Sequence, residues 1–326
     1  MSARALITGG AGFIGSHLTE RLLDNGYTVT VLDDLSTGTI DNLAHLHPAD
    51  RFTFVGGSIT DASAVNELVR HADYVFHLAA SVGVQRIVDS PIESISTNIR
   101  GTEVLLESSA RFGKPTIVAS TSEVYGKSSK IPFSEGDDLV LGPTQNLRWS
   151  YAASKAIDEF LTLAYVRDVG LPATIVRLFN TVGRRQTGRY GMVIPRFVKQ
   201  ALAGEPITVH GDGAQRRAFA HVSDAVGAIH KLSVTPEAVG EVFNVGNDVE
   251  ISIFELAELV RERAKSDSEI ITVSYEQAFG KGFEDIRRRV PDLTKVRSAV
   301  GYEPIWTIEE IVDDVVDFFR EQTGFS

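Results

Sequence analysis

The sequence predicts an α/β fold, a doubly wound parallel sheet with a smaller α/β lobe built by the C-terminal half. Three observations predict it. Short apolar runs alternate with amphipathic segments through the first half. A glycine-rich turn joins the first run to the first amphipathic segment. The character of the chain changes after Asn180. Strand, helix and strand in succession imply parallel strands joined by crossover helices.

The apolar runs lie at residues 4–8, 28–32, 52–55, 74–78, 116–120 and 174–178. They are rich in Val, Ile and Leu without strict alternation, as strands covered on both faces are. Amphipathic segments at 16–25, 63–71, 94–112 and 152–169 supply the covering helices. Residues 181–190 are polar, rich in Gly and Arg, and read as a loop. A helix near 195–203, a strand at 207–210, a Gly-Asp-Gly turn at 211–213 and a helix from Ser223 follow. A strand at 242–245, a helix from Ser252, an irregular basic stretch at 281–291 and a last helix from Thr307 complete the chain. There is no internal repeat and no low-complexity linker.

With 326 residues, 43% apolar and 23% charged, the chain can bury a core of ordinary size. Its 32 Lys and Arg against 43 Asp and Glu give a net charge of −11, which argues against a nucleic-acid partner. An anionic small ligand needs only a helix N-terminus and a few local Arg side chains. The lack of Cys excludes disulfides, thiol nucleophiles and Cys-ligated zinc. The eight His suggest no metal site, and His45 and His47 sit in a polar segment that reads as solvated loop. The short apolar run at Ala5-Leu6-Ile7 is no signal peptide, and no stretch approaches the roughly 20 apolar residues of a membrane span. A cytoplasmic location is expected.

Gly9, Gly12 and Gly15 follow the first strand and open a helix, with Phe13 and Ile14 between them. Glycines at this spacing allow a tight turn and let the helix N-terminus face a pyrophosphate. Asp33 ends the second strand about 20 residues on, where an acid accepts hydrogen bonds from an adenosine ribose. Asp34 beside it, with no nearby Arg, would repel a 2′-phosphate, so NAD is expected rather than NADP. The first half therefore reads as a Rossmann unit. Residues 1–180 are the expected NAD-binding domain, with chain crossing back around 220–250, and 181–326 mainly the substrate lobe.

At the reacting end, Tyr151 and Lys155 are four apart and share a helix face. A free Tyr titrates near ~10 and is a poor base at neutral pH; an adjacent ammonium favours its phenolate. Thr121, Ser122 and Glu123 end another buried strand, where open α/β sheets bind ligands. Their hydroxyls can bond a sugar oxygen, and Glu123 adds a carboxylate.

The chain resembles the extended short-chain dehydrogenase/reductase family, in its nucleotide-sugar epimerase, dehydratase and decarboxylase branch. The matching residues include Thr8 to His17, Asp33 to Ser36, His77 to Ala80, Asn98, Gly101-Thr102, Thr121 to Gly126 and Tyr151 to Lys155. They continue through Arg177 to Asn180, Gly211 to Gly213, Arg217, Ser223-Asp224 and Asn244 to Gly246.

The resemblance implies a bound NAD that oxidises the sugar at its 4-hydroxyl. Tyr151 takes the proton, Lys155 holds the nicotinamide ribose and Thr121 bonds the 4-oxygen. Ser58, Ile59, Leu78, Ala79, Ala80 and Asn98 would complete the cofactor site. Asn180, Arg217 and Arg289 would hold the nucleotide diphosphate, Arg185 and Val193 would also bind the substrate, and Arg217 is also a candidate for the sugar carboxylate.

Glu123 exceeds what a 4-epimerase needs and is similar to the Glu of UDP-glucuronate decarboxylases and GDP-mannose 4,6-dehydratases. Arg148-Trp149-Ser150-Tyr151, the segment 280–283 and Arg289-Val290-Pro291 resemble the decarboxylases. Decarboxylation of UDP-glucuronate is therefore expected. The alternatives are 4-epimerisation of a UDP-hexose or UDP-uronate, then a 4,6-dehydratase, then a non-catalytic NAD-binding protein. Ser58, Arg184 and His210 depart from the usual residues. Relatives dimerise through two long helices, here 94–112 and 152–169, with Val104, Leu105, Phe160 and Leu161 as candidate contacts.

Overall fold

The computed structural model describes residues 2–46, 51–81, 90–188, 192–279 and 286–323. The first half is β1 (Arg4–Thr8), α1 (Phe13–Asp24), β2 (Thr28–Asp33), β3 (Phe52–Gly56), α2 (Ala62–His71), β4 (Tyr74–His77), α3 (Pro91–Phe112), β5 (Thr116–Thr121), α4 (Trp149–Val169) and β6 (Ala173–Leu178). The second half is β7 (Thr181–Val182), α5 (Val193–Leu202), β8 (Ile207–His210), β9 (Arg216–Ala218), β10 (Ala220–His221), α6 (Val222–Ser233), β11 (Val242–Val245), β12 (Glu250–Ser252), α7 (Ile253–Arg263), β13 (Ile270–Val273), α8 (Tyr275–Phe279), β14 (Arg288–Arg289), α9 (Thr294–Val300) and α10 (Ile308–Thr323).

Seven parallel strands form the central sheet in the order β11-β6-β5-β4-β1-β2-β3. The side-chain alternation of a strand explains why β1 reads as a continuous apolar run. Ala5 and Ile7 enter a core with Leu18 and Leu22 of α1 and Val226 and Ile229 of α6. Leu6 enters the opposite core with Val65 and Val69 of α2 and Val104 and Leu105 of α3. Both faces are covered, which is the doubly wound arrangement the pattern predicted.

The four long helices of the first half begin up to three residues earlier than their amphipathic pattern. Gly12 caps α1 through its backbone, and α3 starts on Pro91, whose fixed φ suits a first helical position. The strand at 242–245 joins the central sheet beside β6, and α6 packs on α1. The remaining second half forms three small sheets, β7 with β10, β12-β9-β14, and β8 with β13. Their core joins α5, α7 and α10 through Phe197, Leu256, Val312 and Phe319.

The strands β7, β9, β10 and β12, each of two or three residues and too short to carry periodicity, and the four-residue β13 lie outside the predicted elements. Part of the basic stretch at 281–291 is strand, as β14. The segments 189–191 and 280–285, and His47, lie outside the described residues, and with them the expectation for 280–283.

Candidate active site

The strand order reverses direction between β1 and β4, which places a ligand crevice beyond the C-terminal ends of those strands. A cleft of about 570 Å³ lies there. Its walls come from the ends of β1, β2, β4, β5 and β6 and from α5, β8, β9 and β14. Gly9, Gly12, Phe13, Ile14, Gly15, Asp33, Asp34, Ile59, Leu78, Ala79 and Ala80 all line it. Ser58 and Asn98 do not. The Ser58 hydroxyl bonds that of Thr60 at 2.9 Å. Asn98 stands behind the wall, accepting from Ser81 N–H at 2.7 Å and donating to Ser154 Oγ at 3.2 Å.

The glycine turn leaves room that side chains would fill. Gly9 has φ +73°, and a Cβ on it would come 2.7 Å from Ala79 N. A Cβ on Gly15 would overlap the Gly9 carbonyl oxygen. Helix α1 has no side-chain cap and no acid in its first turn, so its first N–H groups face the cleft without a side-chain acceptor. Asp33 accepts from Ala11 N–H at 2.9 Å and from Leu35 N–H at 2.8 Å. Burial pushes its carboxyl up, and these two N–H bonds oppose that. A carboxylate so fixed retains lone pairs for ribose hydroxyls. A glycine-lined helix N-terminus with an acid across the crevice fits a dinucleotide.

Thr121, Ser122, Glu123, Tyr151 and Lys155 meet at the other end of the cleft. Thr121 closes β5 in extended backbone and accepts the Glu123 N–H at 3.2 Å, starting a 3-10 turn over Ser122–Tyr125. That turn aims Glu123 at α4. Glu123 Oε2 accepts from Arg148 Nη1 at 2.9 Å, and Glu123 Oε1 pairs with Arg289 Nη1 at 2.8 Å. Burial opposes its charge, but the Arg289 and Arg148 guanidiniums together outweigh burial and hold the carboxyl at about 2. Arg148 is itself fixed against Trp149, its Cζ 5.1 Å from the ring centroid.

The expected Lys155 effect on Tyr151 is not seen in the chain by itself. Burial, then the Glu123 and Asp158 carboxylates, raise the Tyr151 phenol, with the Thr121 hydroxyl opposing them. Lys155 Nζ is engaged by Asp158 Oδ2 at 2.8 Å, which offsets its charge. Lys155 and Asp158 stand at i,i+3 on the predicted amphipathic helix.

Asn180, Arg185, Val193 and Arg217 line the same cleft. Asn180 Nδ2 donates to the Ala218 carbonyl at 2.9 Å. Arg185, in the left-handed region with φ +70°, reaches both Glu20 oxygens at 2.8 and 2.7 Å and the Asn42 carbonyl at 3.2 Å. Arg217 Nη1 donates to the Arg216 carbonyl at 2.8 Å, and Arg217 is the register partner of Arg289 on the adjoining strand. The triple-Arg run is thus divided. Arg287 pairs with Asp212 and Arg288 with Glu250 on the surface, while Arg289 turns inward to Glu123. Arg184 meets Asp314 and Glu321 of α10.

The family model described as GDP-mannose 4,6 dehydratase matches residues 6–315. The chain belongs to this family. It is an extended short-chain dehydrogenase/reductase, as its motifs imply. Within the family it is 43% identical to a UDP-N-acetyl-alpha-D-glucosaminuronate decarboxylase of Bacillus cytotoxicus, over 98% of this chain and 99% of that protein. It is 35% identical to UDP-glucuronic acid decarboxylase 1 of Xenopus tropicalis, over 98% of this chain and 72% of that one. A UDP-glucose 4-epimerase of Thermotoga maritima superposes with a TM-score of 0.88 at 33% identity, covering 98% of this chain and 99% of that one. A dTDP-glucose 4,6-dehydratase of Streptomyces venezuelae, solved with NAD, superposes with a TM-score of 0.88 at 31% identity, covering 99% and 98%. The family fold is therefore common to epimerases, dehydratases and decarboxylases, and the side chains at the reacting end must separate them.

Proposed function

We propose that this family member is an NAD-dependent decarboxylase of a UDP-linked hexuronate, acting through a 4-keto sugar. One observation carries the reading, the ionised Glu123 held between Arg148 and Arg289 on the turn that also bears Thr121. A 4-epimerase of a neutral hexose has no use for two guanidiniums at that place. A sugar carboxylate at carbon 5 does, because Arg binds carboxylates through paired N–H bonds. The 43% identity to a decarboxylase of a UDP-linked acetamido-uronate supports the same class.

NAD, when bound, supplies the oxidation of the 4-carbinol and the matching reduction that ends the turnover. Gly9, Gly12, Gly15 and Asp33 hold it, with Lys155 at the nicotinamide ribose. Thr121 orients the sugar 4-hydroxyl, and Tyr151 takes its proton as the phenolate, which the Lys155 ammonium and the positive nicotinamide of a bound NAD would favour. The ketone at carbon 4 then stands β to the carboxylate on carbon 5. The bond from carbon 5 to the carboxyl carbon breaks, CO2 leaves, and the electron pair enters the carbon 4–carbon 5 enolate. A proton then returns to carbon 5. Arg148 and Arg289 fix the leaving carboxylate. Glu123, ionised throughout the neutral range, orients both guanidiniums and delivers no proton itself.

The exposed face of α4 supports a homodimer in this reading. Ile157 and Phe160 are 45% and 70% exposed there, and Ile92 of α3 is 81% exposed. Val104 and Leu105 are not part of that face, since both are buried under the central sheet. No helix of the described residues is long and apolar enough to cross a membrane. The cytoplasm suits a Cys-free enzyme of a UDP-sugar.

The test is incubation with NAD and either UDP-glucuronate or UDP-N-acetylglucosaminuronate, followed by mass spectrometry of the nucleotide sugars. Loss of CO2 from one of them is expected. Unchanged mass with a new chromatographic peak, or loss of water, would replace the reading by epimerisation or dehydration.

A further inference from the structure

Helix α4 carries a carboxylate that the proposed reaction does not use. Asp158 lies one turn beyond Lys155, and the two are 1% and 2% exposed. Lys155 Nζ donates to Asp158 Oδ2 at 2.8 Å, while Asp158 Oδ1 has no hydrogen-bond partner among the described residues. Burying two charges costs several kcal/mol per ion, and a buried ion pair is weak evidence for stability. A pair kept here, beside Tyr151, points to a need for the charge itself.

The other titratable groups around the pair cannot supply the counter-charge. His77 of β4 bonds the Thr8 and Thr102 hydroxyls through its two ring nitrogens, each at 2.9 Å. Burial, then the Lys155 charge, hold it at about 3, so it is neutral. Glu159 of α4 is bound by Arg177 through Nε at 3.0 Å and Nη2 at 2.7 Å, and also accepts from Ser120. Glu123 is committed to Arg148 and Arg289. Tyr151 is a neutral phenol at rest. Burial pushes the Asp158 carboxyl up, and Lys155, then the Thr102 hydroxyl of helix α3, oppose that.

We propose that Asp158 is the counter-ion that keeps Lys155 protonated in the interior, and so is a positioning residue for the Tyr151/Lys155 pair. A buried ammonium without a partner loses its proton far below the ordinary value of about 10.4, by up to ~3–5 units. A neutral Lys155 would offer the ribose one donor fewer. The catalytic part rests on the proposed decarboxylase reading; the charge state of Lys155 does not.

Full-length protein and the Asp158→Asn variant are melted side by side between pH 6 and 9.5, without nucleotide sugar. Loss of the counter-ion lowers the folded-state value of Lys155 beneath its unfolded value. The folded state then binds fewer protons, so its penalty is full at low pH and fades as pH rises. The variant's Tm deficit is expected to be largest near pH 6 and to shrink towards pH 9.5. Histidines common to both proteins cancel in the difference. In turnover, the alkaline limb of the kcat profile is expected to move down by at least about one pH unit in Asp158→Asn and to stay in place in Asp158→Glu. If Asp158→Asn does not fold, Asp158→Ala carries the same comparison. A Tm deficit constant across pH overturns the counter-ion, and an unmoved kcat limb overturns the positioning role. If neither UDP-uronate is turned over, the function reading fails while the melts still decide the charge of Lys155.

Discussion

Arg289 Nη1 sits 2.8 Å from Glu123 Oε1, so the last small strand of the chain delivers a cation to the end of β5 in the central sheet. The resemblance placed Arg289 on the diphosphate; the geometry sets it beside the sugar in the proposed reading. Arg289→Ala is expected to lower kcat/KM for the UDP-uronate by roughly 10²-fold or more, as loss of a preorganised donor does. Isothermal titration with UDP alone separates the two places. Unchanged UDP affinity puts Arg289 at the sugar, and a matching loss puts it on the phosphates.

The same ion pair has a pH signature. Arg289 and Arg148 hold Glu123 at about 2, below its unfolded value of 4.5. A depressed carboxyl stabilises the fold above the unfolded value and loses that contribution as pH falls through the folded one. The pair's contribution is on the order of 3 kcal/mol at neutral pH. Glu123→Gln is expected to melt well below the parent at pH 7 and to converge with it between pH 4.5 and about 2. Calorimetry across that range measures it; a gap that stays constant would remove the role of the carboxylate charge.

Tyr151→Phe deletes the proton acceptor and no other polar group. A loss of about 10²–10⁴ in kcat is expected, with NAD retained by the glycine turn. Single-turnover kinetics and the absorbance of bound nucleotide check both halves.

Gly15→Ala puts a methyl into the Gly9 carbonyl oxygen, inside the turn that would hold the pyrophosphate. NAD affinity is expected to fall by at least ~10-fold, read by fluorescence titration, with a smaller loss in Tm.

Phe160→Glu places a charge on the exposed apolar face of α4, where Phe160 is 70% exposed. Sedimentation is expected to show monomer for the variant and dimer for the parent.

Much of this was legible in the sequence. The six apolar runs became strands β1 to β6 because strands buried on both faces must be apolar throughout. The C-terminal strand ends gathered the glycine turn, Asp33, Thr121 and Tyr151 in one cleft because a parallel sheet brings those ends to one side. The ion pairs were not legible. Nothing local to Arg289 distinguishes it from Arg287 and Arg288, and only the register of β14 with β9 turns it inward. The i,i+3 relation of Asp158 to Lys155 says nothing of burial. Ser58, which the resemblance places at the cofactor, accepts the Thr60 N–H at 3.2 Å.

Strand β11 has a consequence for how the polypeptide can be divided. The chain leaves the central sheet at β6, builds half of the small lobe, returns through α6 to lay β11 against β6, and only then completes the small lobe. Neither lobe is a continuous stretch of chain. A polypeptide cut after Asn180 would bare the flank of β6, with its unpaired N–H and C=O groups beside Ile175 and Val176, and would strip α6 from α1. Such an open edge recruits other strands. The two lobes are therefore expected to be inherited, folded and lost together, and swapping the small lobe between relatives would require two splice points rather than one.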